Sequence, residues 1–370
     1  MQELTLYAVP FSLYSGKARS YLIKAGVPYR ELSPAVAHYQ EKVLPRAGGR
    51  SIPVIELADG AVVRDGTRII DHFESHEPRF APQSPCQSVV SLLFDVIGSE
   101  GLLRPAMHYR WNFPEANEVF LKCHFEMLAP EGLDASKLAE AGMQRMRMAS
   151  LAFGAVPENL AGIESLYESF LELLDAHFAT NDYLLGGKPS IGDFGLIAPL
   201  YAHLGRDPYS LALMYKKAIH VFRWVERMNR PGLDMGELRN AVDDYYADDK
   251  ISETLVSVLR HMALDFVPET LAAAGTINQW LGANPPVAGT PIPRSVSELA
   301  EFEAAGLKMK AIAQPYRFFL LRRVQEAVAG LDEGPRARVD DLLARCNMAE
   351  VLGASLDREI GWADNREVWL

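Results

Sequence analysis

Apolar and polar positions over the first eighty residues predict a small α/β unit. Leu4-Thr5-Leu6-Tyr7-Ala8-Val9 is a short apolar run of the kind a buried parallel strand shows, and Pro10 stops it. Ala18, Tyr21, Leu22 and Ala25 then recur at i, i+3, i+4 and i+7, which is one face of a helix. Gly26 ends that helix and Pro28 keeps it ended. Residues 29–32 read as a second strand. Residues 51–57 and 61–64 read as two more, joined across Asp59-Gly60, a dipeptide that suits the φ > 0 positions of a hairpin turn. Asp65 stands as a cap before a helix whose apolar face includes Ile69, Ile70 and Phe73. The predicted order is β-α-β, an irregular stretch, then β-β-α.

After a proline-containing linker over 79–85 the period becomes helical almost throughout. Helices are predicted over 89–103, 115–128, 135–153, 163–178, 191–204 and 211–228, the last stopped by Pro231-Gly232. Leu166, Phe170, Leu173, Leu174 and His177 mark one clear face. Beyond an acidic stretch at 242–249, in which Tyr245 and Tyr246 are candidate anchors, further helices are predicted. They cover 252–264 with Ser252 as cap, 316–329 after Pro315, and 336–346. The proline-rich segment 284–293 excludes a regular helix. These divisions place domains at 1–80 and 86–245. The extension at 246–370 has too thin a periodic core to stand alone and is expected to pack on the helical domain.

Composition narrows the classes. The chain of 370 residues is 49% hydrophobic, enough for two or three domains, and its net charge of −11 argues against a general nucleic-acid or anionic-membrane binder. Cys86, Cys123 and Cys346 make no CxxC and no metal spacing, as expected of reduced thiols in a cytosolic protein. The first residues are not basic and the first strand is too short for a signal h-region, so no leader is expected. No run approaches the ~20 apolar residues of a membrane span.

The candidate chemistry lies at Ser12-Leu13-Tyr14-Ser15, on the turn from the first strand into the first helix. Hydroxyls there sit beside unpaired backbone N–H groups and the positive end of the helix dipole, which favour an anion. Pro53 opens a strand that the pattern places inside the sheet, where proline belongs at starts, edges or bulges.

With these features the chain resembles the glutathione transferase superfamily. The resembling motifs are Ser12-Leu-Tyr-Ser15-Gly-Lys-Ala-Arg19, Ile52-Pro53-Val54, Asp65-Gly66-Thr67 before Ile69-Ile70, and Gly187-Lys188-Pro189-Ser190-Ile191-Gly192-Asp193. In the last of these, Ser190 and Asp193 have the spacing of a helix capping box. The likeness covers about residues 1–230. It implies a thioredoxin-like α/β N-terminal domain that binds glutathione as co-substrate, an all-α second domain, a homodimer, and a small-molecule electrophile bound between the domains. The extension lies outside it.

The resemblance also implies site residues. Ser12 matches the hydroxyl that hydrogen-bonds the glutathione thiol, and Ser15 the second position of the thioredoxin motif. Tyr7 and Tyr14 are the remaining hydroxyl candidates. Ile52 before a cis Pro53 offers backbone hydrogen bonds to the glutathione cysteine. Asp65 matches the acid that contacts the γ-glutamyl ammonium. The family usually follows that acid with Ser or Thr, whose hydroxyl contacts the γ-glutamyl carboxylate; here Gly66 has no hydroxyl, and Thr67 stands one position on. His108, Tyr109 and Trp111, with Arg110, are candidates to line the electrophile pocket or to pack a helix end. Trp280, Tyr316, Phe318 and Phe319 are candidates to cover the pocket or to fill a core. Three functions fit: thiolate attack on a soft electrophile, isomerisation of the maleylacetoacetate type (which carries a serine where this chain has Leu13), or a non-catalytic scaffold.

Overall fold

A computed structural model describes residues 3–233, 236 and 243–370. Met1, Gln2 and Val242, used in the reading above, lie outside the described residues. The first unit runs β1 (Leu4–Tyr7), α1 (Leu13–Lys24), β2 (Tyr29–Leu32), β3 (Val54–Glu56), β4 (Val62–Arg64) and α2 (Gly66–Glu74). Its sheet has the order β2-β1-β3-β4. The α1 crossover makes β1 and β2 parallel, and the Asp59-Gly60 hairpin makes β3 and β4 antiparallel. This is a thioredoxin-like arrangement.

The second unit is all helix. It comprises α3 (Pro85–Val96), a wide turn (Ile97–Gly101), α4 (Leu103–Trp111), α5 (Pro114–Glu126), α6 (Ala135–Ala152), α7 (Leu160–Phe178), α8 (Ile191–Ala202), α9 (Pro208–Lys217) and α10 (Ile219–Met228). The stretch read as one helix over 211–228 breaks at Ala218, whose φ and ψ of −146° and 64° are not helical. Gly98 and Gly195 let the wide turn and α8 touch backbone to backbone, since a Cβ on Gly98 would lie 2.3 Å from the Gly195 carbonyl carbon. Asp193 starts α8 by accepting the Ser190 N–H at 2.8 Å, and it also takes the Leu184 N–H and the Trp224 indole N–H. The run Pro85–Trp111 is, by length and composition, apolar enough to cross a membrane, contrary to the expectation above. It is instead a core element, 89% buried in its most apolar window.

The extension departs from the expectation of helices alone. It has α11 (Glu253–Ala283), a hairpin of β5 (Leu299–Ala304) and β6 (Leu307–Ile312), α12 (Tyr316–Ala329), α13 (Glu333–Arg345), and a second hairpin of β7 (Ile360–Ala363) and β8 (Arg366–Trp369). Nor does it rest on the helical domain alone. Helices α12 and α13 lie along α3 and α11 lies along α7, while the last hairpin seats on the sheet of the first unit. There Arg64 binds Glu367 and the Asn365 carbonyl, both at 2.7 Å, and the Asn365 amide donates to the Val62 carbonyl at 2.9 Å. Arg323 of α12 pairs with Asp71 of α2 at 2.8 Å. One hydrophobic cluster runs through both units and the extension.

Candidate functional site

Sheet register brings three of the four sequence motifs to one end of the first unit. Tyr7 at the end of β1 sits opposite Val54 at the start of β3, and Val54 sits opposite Arg64 at the end of β4. The turn into α1, the Ile52-Pro53 peptide and the start of α2 therefore lie side by side. The Asp65 N–H donates to the Pro53 carbonyl at 3.0 Å. The Ile52-Pro53 peptide is cis.

The four candidate hydroxyls differ in burial and in partners. Ser12 is the N-cap of α1; its Oγ accepts the Ser15 N–H at 3.4 Å, and the side chain remains part-exposed. Ser15 is fully buried, and among the described residues its hydroxyl has no hydrogen-bond partner. Tyr14 donates to Glu100 Oε1 at 3.0 Å. Tyr7 belongs to a small core with Tyr39, Val43 and Val54 and donates to Glu56 at 3.1 Å. Burial and the neighbouring Glu56 charge push its phenol up to about 12.

The start of α2 is held from three directions. Asp65 has φ of 83°, an uncommon conformation for a residue with a side chain. Its Oδ1 accepts the N–H groups of Thr67 and Arg68 at 2.9 and 3.1 Å, and its Oδ2 accepts the Tyr316 hydroxyl at 2.9 Å. Burial raises the Asp65 carboxyl, and the Lys17 charge pulls the other way. The Lys17 ammonium is buried and donates to Thr67 Oγ1 at 2.7 Å, Asp95 Oδ1 at 2.5 Å and Ser99 Oγ at 3.3 Å. Gly66 is packed beneath this: a Cβ there would meet the Lys17 Cδ and the Tyr14 carbonyl oxygen, each at 3.3 Å.

Glu100, Lys17 and Arg317 complete the surroundings, and sequence reasoning missed all three. Glu100 lies in the wide turn between α3 and α4, a local widening that re-aims side chains and recurs at functional sites. The signal available was the pair Gly98 and Gly101 interrupting an apolar helical run. Burial pushes the Glu100 carboxyl up to about 7, opposed by the charge of Arg317 and the Tyr14 hydrogen bond. Arg317 donates to the Glu100 carbonyl at 3.0 Å and pairs with Glu269 at 3.0 Å, which ties the start of α12 to this turn.

The residues expected to line the pocket, His108, Tyr109 and Trp111, are buried, at 1%, 2% and 4% exposed. His108 bonds Glu164 at 2.9 Å, and Tyr109 packs on Phe113 and Tyr167. Arg110 is spent on Asp207 and on the carbonyls of Phe11 and Ala202. Of the extension aromatics, Tyr316 reaches the site; Phe318 is core, Phe319 lies against Trp362, and Trp280 stacks on Trp369.

Comparison with known proteins accords with this architecture. Residues 6–83 match the family model of the glutathione S-transferase N-terminal domain, and residues 157–227 that of the C-terminal domain. No curated protein sequence matches the chain. Among solved structures, a GST-like protein from Pseudomonas syringae aligns at 19% identity with a TM-score of 0.41, covering 62% of this chain and 67% of that one. The beta-etherase LigF from Sphingobium sp. strain SYK-6 aligns at 18% identity with a TM-score of 0.41, covering 62% and 95%. A glutathione S-transferase from Methylobacterium radiotolerans, solved in complex with glutathione sulfonate, aligns at 17% identity with a TM-score of 0.36, covering 65% and 100%. With both domain models matched in order, on the sheet unit and on the helical unit, the chain belongs to the glutathione transferase superfamily.

Proposed function

We propose that the chain binds glutathione at the sheet end described above and that Ser12 stabilises its thiolate for attack on a soft electrophile. The observation that carries this reading is the part-exposed Ser12 hydroxyl, set at the N-terminus of a twelve-residue helix and in one cluster with Ile52-Pro53 and Asp65. Among the described residues no acceptor takes the Ser12 proton, which leaves it available to a sulfur anion.

The energetics fit. A free thiol of pKa about 8.5 is only a few per cent thiolate at neutral pH. Acidifying it by about two units takes roughly 2.7 kcal/mol. A hydrogen bond to the charged sulfur contributes about 1.5–3 kcal/mol, and the helix N-terminus adds about 0.3–1. An alcohol at this position forms no mixed disulfide, so thiolate stabilisation is favoured over thiol exchange. In the reaction the thiol gives its proton to solvent water, sulfur attacks the electrophilic carbon, a C–S bond forms and the leaving group departs with the electron pair of the bond that breaks.

The test is turnover of glutathione with a generic electrophile. Ser12→Ala is expected to lower the rate about tenfold or more with the fold intact, which corresponds to loss of one charge-assisted hydrogen bond. An equal rate in the variant removes Ser12 from the mechanism. Retention of wild-type chain on immobilised glutathione without any turnover makes it a binding module on the same fold.

A further inference from the structure

We propose that Arg206 makes the chain selective for electrophiles that carry a carboxylate, by binding that group beside the Ser12 turn among a cluster of aromatic rings. The inference rests on the functional reading above and names the substrate class of that site. Two observations carry it: where Arg206 stands, and what it lacks.

Its place is fixed through Phe11, the residue before Ser12. The Phe11 carbonyl accepts an Arg110 N–H at 3.0 Å, and the same guanidinium grips both oxygens of Asp207 at 2.6 and 2.9 Å. The turn between α8 and α9, which carries Arg206, is thereby tied to the start of α1. The Phe11 ring meets the ring of His124 on α5 at 5.4 Å. Arg206 donates to His124 Nε2 at 3.1 Å and lies over the rings of Phe120 and Tyr201, 5.8 and 5.9 Å from their centroids. Tyr201 borders α1 in turn, since a Cβ on Gly16 would stand 3.6 Å from its ring. Ser12, Phe120, His124, Tyr201 and Arg206 each keep part of their surface open.

What Arg206 lacks is an anion. The adjacent Asp207 is fully buried and its two oxygens are taken by Arg110. Arg19, the other cation over Tyr201, pairs with Glu31 at 2.5 Å. Among the described residues no carboxylate forms an ion pair with Arg206, and its Nε is buried without a hydrogen-bond partner. The contacts it does make are uncharged. His124 Nδ1 bonds the Phe120 carbonyl at 2.7 Å and so carries the ring proton, while Nε2 faces a guanidinium that can only donate and must be the acceptor. The other contact is the Tyr201 hydroxyl at 3.4 Å. His124 therefore orients Arg206 without neutralising it. One surplus positive charge remains on this part-buried cluster, next to Ser12. A carboxylate can take the open guanidinium N–H groups, and the apolar body attached to it can pack on the neighbouring rings. A neutral electrophile gains the packing alone.

The experiment is calorimetric titration of the full-length chain with para-nitrobenzoate, which has no leaving group and so cannot react with a thiol, and with its methyl ester, which has the same ring and no charge. The wild-type chain is expected to bind the carboxylate more tightly than the ester. Arg206→Gln is expected to weaken the carboxylate about tenfold or more and to leave the ester unchanged. Arg206→Lys keeps the charge and is expected to keep a preference for the carboxylate. Equal binding of the two ligands by the wild-type chain overturns the inference, and so does a parallel loss of both in Arg206→Gln, because the effect is then on the fold. Binding of neither ligand also overturns it, while turnover of a neutral electrophile with glutathione leaves the functional reading standing. The expected binding pattern in a chain that never turns glutathione over upholds the anion site and overturns the functional reading instead.

Discussion

Glu100→Gln isolates a strongly perturbed carboxyl in the site by its pH dependence. Glu100 is 2% exposed, its Oε1 takes the Tyr14 hydroxyl, and its Oε2 has no hydrogen-bond partner among the described residues. Its carboxyl moves from an ordinary value of 4.5 up to about 7, chiefly because burial disfavours the charged form. The folded chain therefore holds this proton more tightly than the unfolded chain. The stabilisation is complete below the unfolded pKa and is lost as pH rises through the folded one. At 1.36 kcal/mol per pKa unit the loss amounts to roughly 3 kcal/mol. Glutamine does not titrate, so the variant escapes this loss whatever fixed offset its amide introduces. Denaturant unfolding of both proteins from about pH 5 to about pH 8 measures it: the variant's stability relative to wild type is expected to climb by about 2–3 kcal/mol across that range. A difference that stays flat refutes the reasoning, because Glu100 then ionises like an exposed carboxylate and the turn is open to water.

Three further outcomes follow from the packing. Lys17→Met leaves the buried Asp95 with Arg323, at 3.5 Å, as its sole cation among the described residues and is expected to cost about 3–5 kcal/mol; adding Asp95→Leu is expected to recover most of it, and a loss below about 1 kcal/mol in the single variant contradicts the buried pair. Asp193→Ala strands four donors (two from Ser190, with Leu184 N–H and Trp224 N–H) and is expected to cost about 3 kcal/mol or more by thermal or denaturant unfolding, against near-neutrality if water replaces the carboxylate. Removing residues 247–370 uncovers the faces of α3 and α7 now beneath α11, α12 and α13, so the shortened chain is expected to aggregate; a soluble fragment with an unchanged Tm shows the extension to be independent.

Local signals in the sequence carried the elements, and non-local ones escaped it. Helix α12 falls on 316–329 as read, because Pro315 and an amphipathic face define its start. The capping serine of α11 is also as read, with Ser252 Oγ accepting the Leu255 N–H at 3.3 Å. That helix was expected to stop at 264 yet runs to Ala283 through Pro268, since burial of Val267, Thr270, Ala273 and Ile277 outweighs the missing N–H. The two extension hairpins had legible patterns that the helical reading overrode. Ala300 and Ala304 alternate toward the core on β5, Met309 and Ala311 on β6, and Asp364-Asn365 supplies a turn with both φ angles positive. In the site, Ser12, Pro53 and Asp65 were legible because each sits at a strand or helix terminus with its own chemistry. Tyr316 was not legible as an Asp65 partner, because no periodicity links residues 251 apart. His108 and Arg110 pair with Glu164 of α7 and with Asp207, the cap residue before α9, and no local pattern in the sequence links these partners.

The central claim is that the Ser12 hydroxyl meets the sulfur of bound glutathione, and the ultraviolet absorbance of the bound thiolate, titrated against pH, measures it most directly. The account predicts that glutathione bound to the wild-type chain ionises about one to two pKa units below the free thiol, and that Ser12→Ala returns most of that shift while still binding glutathione. An identical titration in wild type and Ser12→Ala, or a bound thiol no more acidic than the free one, contradicts it.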